Sequence, residues 1–373
     1  MARRVLVLTT GGTISGYAGH RDTGVDGSEI DRALEPLRLH VLESDQIELH
    51  VGILRIDAQD STELGPAAWT RLIGSIHEHY DSFDGFVVLH GTNTLGYTAA
   101  ALAFGLVNNA KPVILTGAQL PLGLPASDAV ANLHNAVRVA GLGPTETGDL
   151  APLRGVAVVF GSHVIAGVRA KKSTVFDLDA FEPYGAGGLA RIGTLVDINE
   201  SELRAHHSFL SRPGADGYAE ASNANDLLLA GKFDLTRVAS LTLFPGMSPG
   251  VLTAMAESAD DPPSVVILRA FGPGDIPSNL APPLARLRER NVPVIATTQA
   301  ARGKAHMASN GPGQRALVTG GVIPSHDMSI EAITVKAGWL VGRGVRHPEF
   351  AHEFGRSCRG EILPVPPRSH RWW

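Results

Sequence analysis

Short apolar runs that end in a glycine–threonine turn and pass straight into a helical segment constrain this chain more than any other feature. The clearest is Phe86-Val87-Val88-Leu89-His90-Gly91-Thr92-Asn93-Thr94, followed by the apolar segment Leu95-Leu102. Four consecutive apolar residues suit a strand buried on both faces, as in a parallel sheet. Gly91 lets the chain turn sharply, so Thr92 and Asn93 stand at the mouth of a helix. In an open α/β sheet the loops after the carboxyl ends of the strands line the ligand crevice. One such loop taken alone is satisfied by Thr92 or Thr94 capping the helix. A second loop of the same design changes that balance. Val5-Leu6-Val7-Leu8 leads into Thr9-Thr10-Gly11-Gly12-Thr13-Ile14, where adjacent glycines allow positive φ and close backbone approach.

The same grammar recurs along the chain. Gln46–Ile56 reads as a strand ending at Asp57-Ala58-Gln59. Pro66 is placed to open a helix with Trp69, Leu72, Ile73 and Ile76 on one face. Lys111–Gly117 is strand then turn, and Ser127 suits the N-cap of a helix carrying Val130, Leu133 and Val137. Gly155–Phe160 is a further strand. Strands alternating with helices predict βαβ units and a parallel sheet. The pattern fades after Val196 and resumes on a smaller scale with strands at Leu241–Phe244, Val265–Leu268 and Val294–Thr297. Helices are expected there at Val251–Glu257, Leu284–Arg290 and Ile330–Leu340. The expected organisation of the 373 residues is a larger N-terminal α/β domain over 1–200, a linker over 201–236 and a smaller α/β domain over 237–373. Tyr17–Gly27, rich in Gly and Asp, reads as a loop able to act as a lid.

Several function classes are disfavoured. A net charge of −5 argues against a nucleic-acid partner. The single cysteine, Cys358, excludes an intramolecular disulfide framework and suits a reducing compartment. Arg3-Arg4 precedes an apolar run too short for a signal peptide, and no stretch approaches a membrane span. The expectation is a soluble, cytoplasmic protein. Gly246-Met247-Ser248-Pro249-Gly250 matches a nucleophile elbow, but Pro249 has no N–H for an oxyanion hole, so Ser248 reads as a helix cap. Gly185–Ala190 resembles a dinucleotide fingerprint without a clear strand before it or a helix after it. His77 and His79 are too close in sequence to share a helix face, and His206-His207 read as surface residues of the linker. No metal or cofactor is expected.

Gly12-Thr13 and Gly91-Thr92 therefore stand out. A threonine hydroxyl is a weak nucleophile until a base or a polarising partner activates it. Lysine can serve if burial lowers its pKa, and Lys171-Lys172 follows a strand. Taken alone, such lysines more often form a solvated basic patch than a catalytic group.

Thr9–Ile14, His90–Thr94, Leu115-Thr116-Gly117-Ala118-Gln119 and Ser127-Asp128 with Asn132 resemble the L-asparaginase family, most closely its cytoplasmic type I branch. The resemblance extends through Lys172, Phe244-Pro245-Gly246, Ile267–Gly272, Thr298-Gln299 and Asp327–Ala332. It implies an amidohydrolase with Thr13 as nucleophile and Thr92 with Lys172 as the second catalytic group. It also implies oxyanion donors near Gly12 and Thr92, substrate contacts at Asp57, Ala58, Gln59, Gly91 and Asn93, and a homodimer or homotetramer with a small-molecule amide substrate. Three positions depart from the family pattern. Asn93 replaces an aspartate that would bind the substrate's α-ammonium, and Ala58 replaces a serine that would meet its α-carboxylate. The lid tyrosine aligns near Val25, with Tyr17 available in its place. Both recognition changes suit a substrate whose α-amino or α-carboxyl group is masked or absent, such as a blocked amide, a lactam or an imide. Unaltered asparagine hydrolysis and a catalytically silent ligand sensor are the competing expectations. Ala300 stands where type I relatives that respond to asparagine carry cysteine, so that regulation is not expected.

Overall fold

The computed structural model describes residues 2–15, 27–142, 153–194, 196–210, 223–258 and 262–363. The chain divides into two compact units, residues 1–183 with 187–232 and residues 184–186 with 233–373.

In the first unit β1 (Ala2–Thr9), α1 (Gly27–Asp45), β2 (Glu48–Arg55), α2 (Pro66–Glu78), β3 (Gly85–Leu89) and α3 (Leu95–Gly105) alternate, and all but α1 fall on segments that the periodicity predicts. They are followed by β4 (Leu106–Val107), β5 (Pro112–Thr116), α4 (Ala129–Leu142), β6 (Gly155–Phe160) and β7 (His163–Ala166). The unit continues with β8 (Ala170–Lys172), β9 (Phe181–Pro183), β10 (Ala190–Ile192), β11 (Val196–Ile198), α5 (Glu200–Leu210) and β12 (Leu228–Leu229). Eight strands form one sheet in the order β11-β10-β7-β6-β5-β3-β1-β2. The five from β6 to β2 are parallel, and β7, β10 and β11 continue the sheet antiparallel. Chain direction across the sheet reverses between β1 and β3, the switch point at which open α/β sheets form their crevice.

Alternation in β1 sends Val5 and Val7 toward Ile30, Leu34, Leu37 and Val41 of α1 and Leu133 and Val137 of α4. Leu6 and Leu8 are buried on the opposite face. Helix α3 is buried at every position but Tyr97, which explains why its sequence is apolar all round. Val130, expected on the inner face of α4, is 39% exposed, while Leu133 and Val137 are buried. Ser127 does accept the Ala129 N–H at the start of that helix, at 3.0 Å.

Residues 201–210 of the expected linker lie in helix α5 (Glu200–Leu210), which places Leu203 in the core of the first unit. His206 is buried there rather than on the surface. Its Nε2 lies 2.9 Å from the Arg154 carbonyl, and burial pulls its pKa down to about 4. Its neighbours in sequence are largely polar, and only the helical turn separates the inward position from the solvated ones.

The second unit holds β13 (Val238–Thr242), α6 (Gly250–Glu257), β14 (Val265–Ala270), α7 (Ala281–Glu289) and β15 (Val294–Thr298). It continues with α8 (Gly311–Val318), β16 (Ile323–Pro324), α9 (Ile330–Gly342) and α10 (Glu349–Gly355). Its four strands are parallel in sequence order. Phe244, expected as the end of a strand, lies beyond β13 and is 59% exposed. Ser248 accepts the Gly250 N–H where α6 begins, but the N-cap position falls on Pro249, one residue later than expected. Among the described residues no helix is long and apolar enough to cross a membrane.

Candidate active site

The loops leaving β1, β2 and β3 meet at the switch point. Thr9 is level with Leu89 on one side and Arg55 on the other, so all three strands end together. A Cβ on Gly12 would lie 2.5 Å from the Gly91 nitrogen, and one on Gly11 would lie 2.5 Å from the Gln59 carbonyl oxygen. Both glycines have positive φ, 99° at Gly11 and 81° at Gly12. Backbone packs directly on backbone here, which only glycine permits. The paired Gly-Thr motifs are thus one structure, with Ala58 and Gln59 against it. Thr10 pins the first loop by donating its hydroxyl to the Leu89 carbonyl at 3.0 Å, and Ile14 anchors it in the core. Thr13 is half-buried at the start of a single 3-10 turn, Thr13–Ser15.

Neither threonine of the second loop caps α3 with its side chain. Thr94 occupies the N-cap position, but its hydroxyl donates to the Ser61 carbonyl at 2.6 Å. Thr92 is buried, and Lys172 donates to its Oγ1 at 2.7 Å. Lys172 ends β8, also donates to Asn93 Oδ1 at 3.0 Å, and is half-buried. Burial lowers its pKa below the ordinary lysine range, and among the described residues no carboxylate opposes that shift.

Gln119 is a site residue that the sequence alone does not single out. Its Oε1 lies 3.4 Å from Thr92 Oγ1, while its Nε2 donates to the Val175 and Asp177 carbonyls at 2.7 and 3.1 Å. Those two bonds dictate that the oxygen end faces Thr92. Asp128 fixes the backbone beneath it by accepting the Gln119 and Leu120 N–H groups and the Asn132 side-chain amide. The signal available in sequence is position: Gln119 leaves β5, the strand beside β3.

Asp57 is brought to the crevice, but its carboxylate is already engaged by Arg71 and by the Ala58 N–H. Tyr17 and Val25 lie outside the described residues. No group of three His, Cys, Asp or Glu side chains among the described residues is placed to hold a metal ion.

His90 fills the floor of the second loop and is fully buried. Its Nδ1 is 2.7 Å from the Gly91 carbonyl, which can only accept, so Nδ1 carries the proton. Nε2 must then accept from the Thr98 hydroxyl at 2.9 Å, and Thr98 in turn accepts the Trp69 indole N–H at 3.0 Å. Burial holds the His90 pKa down to about 4 against the opposing pull of Gly91 and Asp60. The unfolded chain therefore binds the extra proton first as pH falls. Stability attributable to His90 is complete above about pH 6.5 and declines toward pH 4, by about 2 kcal/mol near pH 5. Denaturant titrations of the protein and of His90→Gln at about pH 7 and pH 5 check this, because the variant's pH-dependent loss should be smaller by that amount.

The "Asparaginase, N-terminal" family model matches residues 4–204, and the "Glutaminase/Asparaginase C-terminal domain" model matches residues 237–354. The chain belongs to the asparaginase family. It is 30% identical to L-asparaginase 1 of Escherichia coli K12 over 97% of this chain and 98% of that protein. The solved structure of the thermostable L-asparaginase from Thermococcus kodakarensis superposes with a TM-score of 0.79 at 29% identity, covering 97% of this chain and 100% of that one. The chain is also similar to a second kind of protein. A glutamyl-tRNA(Gln) amidotransferase component from Aeropyrum pernix is 28% identical over 96% of this chain and 79% of its own length. In this asparaginase-family chain, the segments that carry Thr13, Thr92, Asn93, Gln119 and Lys172 all fall within the first matched region.

Proposed function

We propose that this asparaginase-family protein hydrolyses a side-chain carboxamide through an ester on Thr13, with Thr92 and Lys172 managing the protons. The observation that carries this reading is the 2.7 Å contact between Lys172 Nζ and Thr92 Oγ1, beside a loop packed backbone to backbone against that of Thr13. Thr13 Oγ attacks the amide carbon and loses its proton. The carbon–nitrogen bond breaks, and the nitrogen leaves as ammonia after taking up that proton. Water then adds to the ester carbon, yielding its proton to the Thr92–Lys172 pair, and the carboxylate departs as Thr13 regains its hydroxyl. Backbone N–H groups near Gly12 and Thr92 would face the oxygen that becomes negative, and each such donor is worth about 3 kcal/mol. The names of the relatives make L-asparagine and L-glutamine the first substrates to test. Asn93 and Ala58 favour a related amide with altered recognition at its α-carbon.

An ammonia-release assay over asparagine, glutamine and their N- and C-blocked derivatives tests the reaction. Turnover should rise with pH along a limb set by the neutral amine of Lys172, below the ordinary lysine pKa. Lys172→Met should lower turnover by about 10²–10³-fold and remove that limb. Binding of these amides without ammonia from any of them would replace the enzyme by a ligand sensor.

A further inference from the structure

Asn93 is the exposed member of the Thr92–Lys172 cluster, and its orientation is not arbitrary. As an ammonium, Lys172 Nζ has only protons to offer, so the atom 3.0 Å away must be the Asn93 carbonyl oxygen. As a neutral amine it can take the Thr92 proton on its lone pair and still donate to Asn93. In both states Oδ1 faces the lysine, and the planar carboxamide turns its two N–H donors the other way. The charges around the crevice agree with this polarity. Lys172 supplies a cation, while Asp57, the acid carried on the β2 exit loop, is already paired with Arg71. A donor pair beside a cation repels an ammonium and attracts an oxygen acceptor.

We propose that Asn93 determines specificity, offering its N–H groups to an acceptor oxygen on the substrate's α-nitrogen, so that the site selects N-acylated amides over free amino acids. This rests on the amidohydrolase reading for the reaction, although the recognition itself is a matter of binding. An acyl group removes the ammonium charge and adds the carbonyl oxygen that the carboxamide can bind.

Calorimetry on Thr13→Ala with N-acetyl-L-asparagine, L-asparagine and succinamate, which lacks any α-substituent, reads that recognition without turnover. N-acetyl-L-asparagine should bind at least 10-fold more tightly than either of the others. Adding Asn93→Asp should reverse its order with L-asparagine, and adding Asn93→Ala should bring N-acetyl-L-asparagine and succinamate within about threefold. The melting temperature of ligand-free Thr13→Ala, expected close to that of the unsubstituted protein, shows that calorimetry reads a folded site. Tighter binding of L-asparagine by the unsubstituted site would overturn the proposal, as would equal binding of succinamate and N-acetyl-L-asparagine. Ammonia release, scored separately on the unsubstituted protein, decides the amidohydrolase reading alone.

Discussion

Replacing Thr13 by alanine is expected to lower ammonia release by about 10⁴-fold or more while the protein stays folded. The size follows from chemistry: without the hydroxyl no ester can form, and only binding and the oxyanion donors remain to act on a water. Retention of the fold follows from what holds the loop. Its conformation is set by the Gly11 and Gly12 backbone contacts, the Thr10–Leu89 bond and the buried Ile14. None of these passes through the Thr13 side chain, which is half-buried. The stability change should therefore remain within about 1 kcal/mol. Rapid acid quench followed by mass spectrometry gives the sharper test. A cleaved substrate should leave its acyl mass on the peptide containing Thr13, and Thr13→Ala should show none. Turnover within 10-fold of the unsubstituted protein would remove Thr13 from the nucleophile's role.

Much of this site is legible in the amino-acid sequence, because its parts obey local rules. An apolar run followed by Gly-Thr announces a buried strand and a tight exit, and two such runs in a parallel sheet end at the same edge. Lys172 is legible from pattern only as one of several lysines. The antiparallel pairing of β8 with β9, which brings Lys172 level with Phe181, is a long-range event that periodicity does not encode. Gln119 escapes a local reading because its orientation depends on the Val175 and Asp177 carbonyls, more than fifty residues away. Helix α1 is easily passed over although Ile30, Leu34, Leu37 and Val41 form a helical stripe, since Pro36 and a largely charged outer face obscure it. His206 misleads in the opposite way. Polar neighbours suggest surface, yet one polar residue per turn can face inward if the Arg154 carbonyl receives it.

The second large effect expected concerns a buried ion pair. Lys336 and Glu361 form an ion pair 2.6 Å apart in the second unit, with both side chains fully buried. Such a pair adds little to stability by itself, since desolvation offsets much of the attraction, but removing one partner strands the other. Here the pair does more than cancel charge. Lys336 donates to the Phe354 carbonyl at 2.8 Å and to the Arg356 carbonyl, closing the end of α10. Glu361 accepts the backbone N–H groups of Cys358 and Arg359 at 3.0 and 2.7 Å. Lys336→Met should therefore cost about 3–5 kcal/mol, read as a shift in the denaturant midpoint. Combining it with Glu361→Leu should recover only part of the loss, because four backbone groups then lose their partners. Burial alone would raise the Glu361 pKa, yet Lys336 and the hydrogen bonds hold it below the ordinary carboxylate value. The unfolded chain then takes up the proton first, so this contribution is complete above the unfolded glutamate pKa and is lost as pH falls through the folded one. Full recovery of stability in the double variant would mean that the backbone bonds add nothing, and that the pair is replaceable by hydrocarbon.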